Sequence, residues 1–92
     1  MTDQPIKTFV AKPVEVTGIL WTGDNFDQIR RFTNGMASLE KTNGATILYI
    51  ETTEGSSRAR IGDTILMGTM GEFYPCKPRV LAAKYDEVHP NE

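Results

Sequence analysis

Apolar and polar positions change period several times along this chain, and each change marks an element. Phe26, Ile29 and Phe32 recur at helical spacing and predict the buried stripe of one helix of about ten residues. Thr22-Gly23-Asp24 opens it, with Asp24 placed to cap the free N–H groups and Asp27 three residues on in a capping-box-like position. Arg30 and Arg31 then face solvent near the C-terminal end, where positive charge suits the helix dipole, and Asn34-Gly35 closes it. After the helix the pattern turns to β. Residues 37–41 read as a short strand, Asn43-Gly44 is a strong two-residue hairpin signal, and 46–52 (TILYIET) is the strongest strand-forming run. Residues 53–57 (TEGSS) predict a loop. From 57 to 61 the chain alternates, with Arg58 and Arg60 on one face and Ala59 and Ile61 on the other.

The flanks follow the same grammar. Residues 7–12 and 14–21 predict a first strand pair around Pro13. Val14 and Val16 share one parity, Ile19 and Trp21 the other, so a β-bulge near Gly18 is expected to bring both pairs inward. Gly62-Asp63 marks a tight turn before a strand at 64–68, Gly68 and Gly71 permit a reversal, and 72–76 returns as a strand. There Phe73 and Tyr74 must face opposite ways. Pro78 suits the first position of a helical turn running to Ala83, and 84–88 predicts a last strand. The expected architecture is an α+β single small domain over 7–88. One short helix packs on a strongly bent, mainly antiparallel sheet or small barrel, between a flexible N-terminus (1–6) and a flexible tail (89–92).

Composition narrows the function. A chain of 92 residues buries roughly 60–65 % of its unfolded surface, which leaves little room for a deep cavity. A pocket is expected at a surface cleft or between subunits. No apolar run is long enough for a membrane span, and the first ten residues lack the layout of a secretory signal. One cysteine cannot form an internal disulfide, which favours a reducing, cytoplasmic setting. A net charge of −2 gives no broad attraction to nucleic acid.

The catalytic inventory is thin. Cys76 and His89 are the lone thiol and imidazole, and His89 lies in the terminal tail. Metal-ligand spacings, phosphate-cradling loops and dinucleotide fingerprints are absent, so neither a metal nor a cofactor is expected. Asp24, Asp63 and Glu72 sit at turns, where carboxylates serve local hydrogen bonding. The expectation is a protein that is not an enzyme. What remains is binding: Trp21 and Tyr74 as aromatic contacts, with Arg58, Arg60, Lys77 and Arg79 as cations able to receive an acidic or anionic partner.

Three fragments, KPVEVTGILWTGDN at 12–25, IGDTILMGTMGEFYPCKP at 61–78 and KYDEV at 84–88, resemble a small family of tailed-bacteriophage and prophage proteins. Typical members carry a near-terminal K-K-P-V, a Q-W-T-G-D segment, a G-D-W-I-x-x-G turn and a G-E-F-Y-P-C-K-P finish. This chain departs at Ala11, Leu20 and Thr64, and its stretch from 35 to 57 adds nothing to the likeness. The family has no agreed activity, cofactor or catalytic residues to carry over. By analogy with small phage accessory proteins, the resemblance implies stoichiometric binding, with a host or anti-phage defence component as the partner. An alternative is a sponge that sequesters an anionic nucleotide messenger, and another is a minor virion or assembly component. Homo-oligomerisation suits the first two, because short sheets leave edges that a second copy can pair.

Overall fold

A computed structural model describes residues 4–8 and 14–88. Chain order is β1 (Thr17–Leu20), α1 (Phe26–Phe32), β2 (Ala37–Thr42), β3 (Ala45–Thr52), β4 (Gly55–Ala59), β5 (Thr64–Met67), β6 (Phe73–Cys76) and α2 (Pro78–Lys84). The fold is α+β. Its strands form two separate three-stranded antiparallel sheets, ordered β1-β5-β6 and β2-β3-β4, so the β part is neither one bent sheet nor a closed barrel.

The β2-β3-β4 sheet is a meander built by two tight turns. Asn43 and Gly44 both take positive φ, 52° and 80°, which matches a turn whose twist suits a two-residue hairpin. The second reversal is as short: Thr52 pairs with Gly55, and the Thr52 hydroxyl donates to the Gly55 carbonyl at 2.6 Å. The expected 53–57 loop is therefore a two-residue turn, and β4 begins two residues earlier than its pattern suggested. Its end moves as well. Ala59 is buried but Ile61 is exposed, because the chain turns through 60–63 before a second inward position is reached.

β1 joins the other sheet in an unbroken register from Thr17 opposite Met67 to Leu20 opposite Thr64. No bulge occurs near Gly18. The parity conflict disappears because Val14 and Val16 precede the strand, with Val14 exposed. Gly18 has a packing role instead: a Cβ there would stand 2.6 Å from Leu66 Cδ2, so Leu66 lies directly across it. Residues 7 and 8 are not in a strand, and the rest of the expected first strand lies outside the described residues. Residues 85–88 are not in a strand either.

α1 shows the expected stripe, with Ile29 fully buried and Phe26 and Phe32 packed against the core. Its N-cap, however, is Asn25 rather than Asp24. Asn25 spends its amide on the preceding loop: Oδ1 accepts from the Thr22 N–H and hydroxyl, both at 3.0 Å, and Nδ2 donates to the Leu20 carbonyl at 2.8 Å. At the other end Gly35 N–H bonds the Arg30 carbonyl and Asn34 N–H the Arg31 carbonyl, with Asn34 at φ 55°. That pair of bonds is the left-handed helix stop that Asn34-Gly35 implied.

The core lies where α1 and the inner faces of both sheets meet. Trp21, Ile65 and Phe73 come from one side, Leu48, Ile50 and Ala59 from the other, and Ile29 from the helix. Phe32 meets Phe73 edge to face, with centroids 5.7 Å apart, tying helix to sheet. Replacing Ile29 by Ala removes a fully buried branched side chain from this junction. The expected loss is about 2–4 kcal/mol in a urea titration, whereas Ile61→Ala, at an exposed position, should shift the same curve by less than about 0.5 kcal/mol.

Candidate binding site

β6 delivers Tyr74 to the outer face of its sheet while Phe73 enters the core, the split that strand alternation demands. Pro75 has no N–H to donate, which suits a strand at the sheet edge. Lys77 continues extended (φ −70°, ψ 149°), and Pro78 starts α2 at its first position. No residue of α2 is buried. The helix ends at Tyr85, whose backbone is extended and whose N–H bonds the Leu81 carbonyl. This places the Tyr85 phenol near that of Tyr74, with the two oxygens 3.4 Å apart.

The two tyrosines form a partition between two concavities. On one side is an open groove of about 1820 Å³, with Gly18, Leu20 and Leu66 among the residues of its sheet wall and Leu81 and Tyr85 on the α2 side. On the other is a hollow of about 350 Å³ lined by Lys77, Val80 and Lys84 beside the same phenols. Helical periodicity explains the division. Pro78, Leu81, Ala82 and Tyr85 follow i, i+3, i+4, i+7 and face the groove, whereas Lys77 and Val80 lie one position earlier and face the hollow, and Lys84 borders both.

The hydrogen bond to Tyr85, followed by burial, pushes the Tyr74 phenol up to about 12. Either effect favours the neutral form, in which the hydroxyl can still donate. Two of the three carboxylates at turns, Asp63 and Glu72, are engaged locally. Asp63 is buried and its Oδ2 accepts from the Arg60 N–H at 3.0 Å, and Glu72 Oε1 accepts from the Met70 N–H at 3.2 Å beside Gly68. Cys76 is buried with its thiol toward the Lys77 carbonyl, and His89 lies outside the described residues. Among the described residues no group of three or more His, Cys, Asp or Glu could hold a metal ion.

Of the six residues singled out in the sequence, the structure brings two together. Tyr74 and Lys77 share the smaller hollow. Trp21 is in the core at 3 % exposure, so its ring is not part of any surface patch. Arg58 is exposed on β4, opposite Tyr49, and Arg60 is exposed in the 60–63 turn. Arg79 is exposed on α2 but lines neither concavity. Lys84 and Tyr85 are the residues that sequence reasoning missed. Their signal was the seven-residue spacing of Lys77 to Lys84 and Pro78 to Tyr85, two helical turns in register.

Together these features define a small α+β domain with paired surface concavities and no helix long and apolar enough to cross a membrane among the described residues. No protein-family model, curated protein or solved structure matches the chain.

The Tyr74–Tyr85 contact has a titration signature. A folded-state value raised above the ordinary phenol value near 10 contributes stability that is complete below pH 10 and lost as pH rises towards about 12. Tyrosinate absorbance should therefore contain a phase near pH 12 in the folded protein. Tyr85→Phe should move that phase down towards 10. An unchanged phase would mean that the contact does not hold Tyr74 neutral.

Proposed function

We propose that this protein is a non-enzymatic accessory binding protein of a tailed phage or prophage. In this reading it acts in the host cytoplasm and inhibits a host or anti-phage defence component by stoichiometric occupation of its surface. The observation that carries the reading is the open groove beside α2. At about 1820 Å³ it exceeds the ~300–1,000 Å³ usual for small-molecule sites, and it is a surface feature rather than an enclosed cavity. Such a shape suits a polypeptide. The carboxylates of Asp63 and Glu72 are occupied by backbone N–H groups, which fits binding better than turnover.

The test is native mass spectrometry of the protein purified gently from host cells. Co-purification of one host polypeptide at a fixed ratio is expected. Recovery as a bare chain, or in purified virions instead, would overturn the reading.

A second reading has its own observation. Lys77 and Lys84 flank two phenols in a hollow of about 350 Å³, an arrangement that suits an anionic, flat ligand such as a nucleotide. Sequestration there would appear in the same experiment as a few hundred extra daltons, on the order of one ligand per hollow. Lys77→Ala combined with Lys84→Ala should abolish it while leaving the urea midpoint unchanged, because both side chains are exposed. Retention of the extra mass in that double variant would exclude the hollow.

A further inference from the structure

The walls of the larger groove specify what enters it. Leu20, on β1, is half exposed, and Leu66 lies beside it across Gly18. α2 supplies Leu81, and Tyr74 and Tyr85 add the apolar faces of their rings. Val14 and Val88, both more than half exposed, extend the apolar lining. Charge on the lining is one-sided: Glu15, Glu72, Asp86 and Glu87 stand against Lys84. A groove with apolar walls and excess carboxylate selects an occupant with the inverse pattern, apolar along one face and cationic at its margins. Anionic ligands are disfavoured here, whatever the neighbouring hollow accepts.

We infer that the groove between the β1-β5-β6 sheet and α2 is the docking site for a cationic amphipathic segment of a partner protein. This rests on the protein-binding reading above and names the partner chemistry for it. Leucine-like side chains of the segment cover Leu20, Val14 and Leu81 over the buried Leu66, removing apolar surface from water. Its lysines or arginines sit against Glu15 and Asp86, both exposed, where the pairs steer the encounter and set orientation more than they add affinity. Because no α2 residue is buried in the free chain, the helix gains its packing partner when the groove fills.

The test uses the full chain and labelled synthetic peptides of about 14 residues, made of Leu and Lys in a helical or an alternating pattern, with Leu/Glu counterparts of each. A Leu/Lys peptide should bind at one per chain, weaken with added salt, and outbind its Leu/Glu counterpart by at least about tenfold. Leu20→Arg should weaken binding by about tenfold or more, and so should Glu15→Lys combined with Asp86→Lys. Met36→Arg, an exposed apolar position outside the groove, should leave binding intact. Circular dichroism confirms that each variant is folded, and the charge-reversal pair keeps the test decisive if Leu20→Arg is not.

Equal binding of the Leu/Glu peptides, no binding of either Leu/Lys peptide, or full binding by the charge-reversed chain would overturn the assignment. So would a dimer of the chain that Leu20→Arg dissociates, since a second copy would then fill the groove. A host polypeptide that stays bound to the charge-reversed variant would leave the protein-binding function standing and remove only this site.

Discussion

Trp21 is fixed from both ends, and the arrangement of the whole chain follows from that. Its N–H donates to the Asp63 carbonyl at 2.9 Å, and its own carbonyl accepts from the Gly62 N–H at 2.8 Å. These two bonds carry the β1–β5 ladder one residue past Leu20 and Thr64 and fix where the Trp21 backbone starts its side chain toward the core. A buried indole removes ~150–250 Å² from water, worth about 4–6 kcal/mol at roughly 25 cal/mol per Å². The clasp thus holds the largest side chain of the core between the turn before β5 and the loop before α1.

The outer face of the β1-β5-β6 sheet is the other half of this arrangement. Every inward residue on β1, β5 and β6 leaves its neighbours facing away from the core, which is how Leu20, Leu66 and Tyr74 come to border the same groove. α2 stands beside them with two differently charged faces offset by a single residue. One contributes apolar side chains to an acidic groove, and the other adds Lys77 and Lys84 to a small basic hollow. Two chemically opposite surfaces therefore meet at one pair of phenols. The binding reading draws its strength from the size of the first, and the sequestration reading from the charge of the second.

Much of this was legible in the chain because short-range grammar decides it. Asn43-Gly44 specified a two-residue hairpin, Phe26, Ile29 and Phe32 specified a helix face, and Asn34-Gly35 specified its end, each from local geometry alone. Where tertiary context intervenes, the pattern misleads. Val14 and Val16 look like strand positions but precede the strand, so the bulge inferred to reconcile them is unnecessary. The glycine blamed for it, Gly18, instead makes room for Leu66 from the neighbouring strand, a contact with no trace in local sequence. Asp24 is a better intrinsic cap than its position allows, since Asn25 holds the loop from Leu20 to Gln28 and takes the capping position. The site was half legible for a related reason. Tyr74 and Lys77 stood out as an outward ring and a nearby cation, but dividing the chain at residue 84 into helix and strand hid the face that Lys84 and Tyr85 complete. Trp21 is the converse: a ring conspicuous in composition whose place depends on bonds from forty residues away.

Pro75 carries a consequence for assembly. Sheets recruit further strands through rows of unpaired donors and acceptors, and β6 lacks one donor in the middle of a four-residue row. β1, at the opposite margin, has no such gap, since Thr17, Gly18, Ile19 and Leu20 all possess an N–H. The sheet is therefore polar in the sense of a chain terminator, able to accept a neighbour at one margin and poorly suited to do so at the other. Pairing of two copies through β1 would consume the competent margin of both and stop at a closed pair. Open-ended stacking into a fibre needs two competent margins on each copy, and Pro75 weakens one of them.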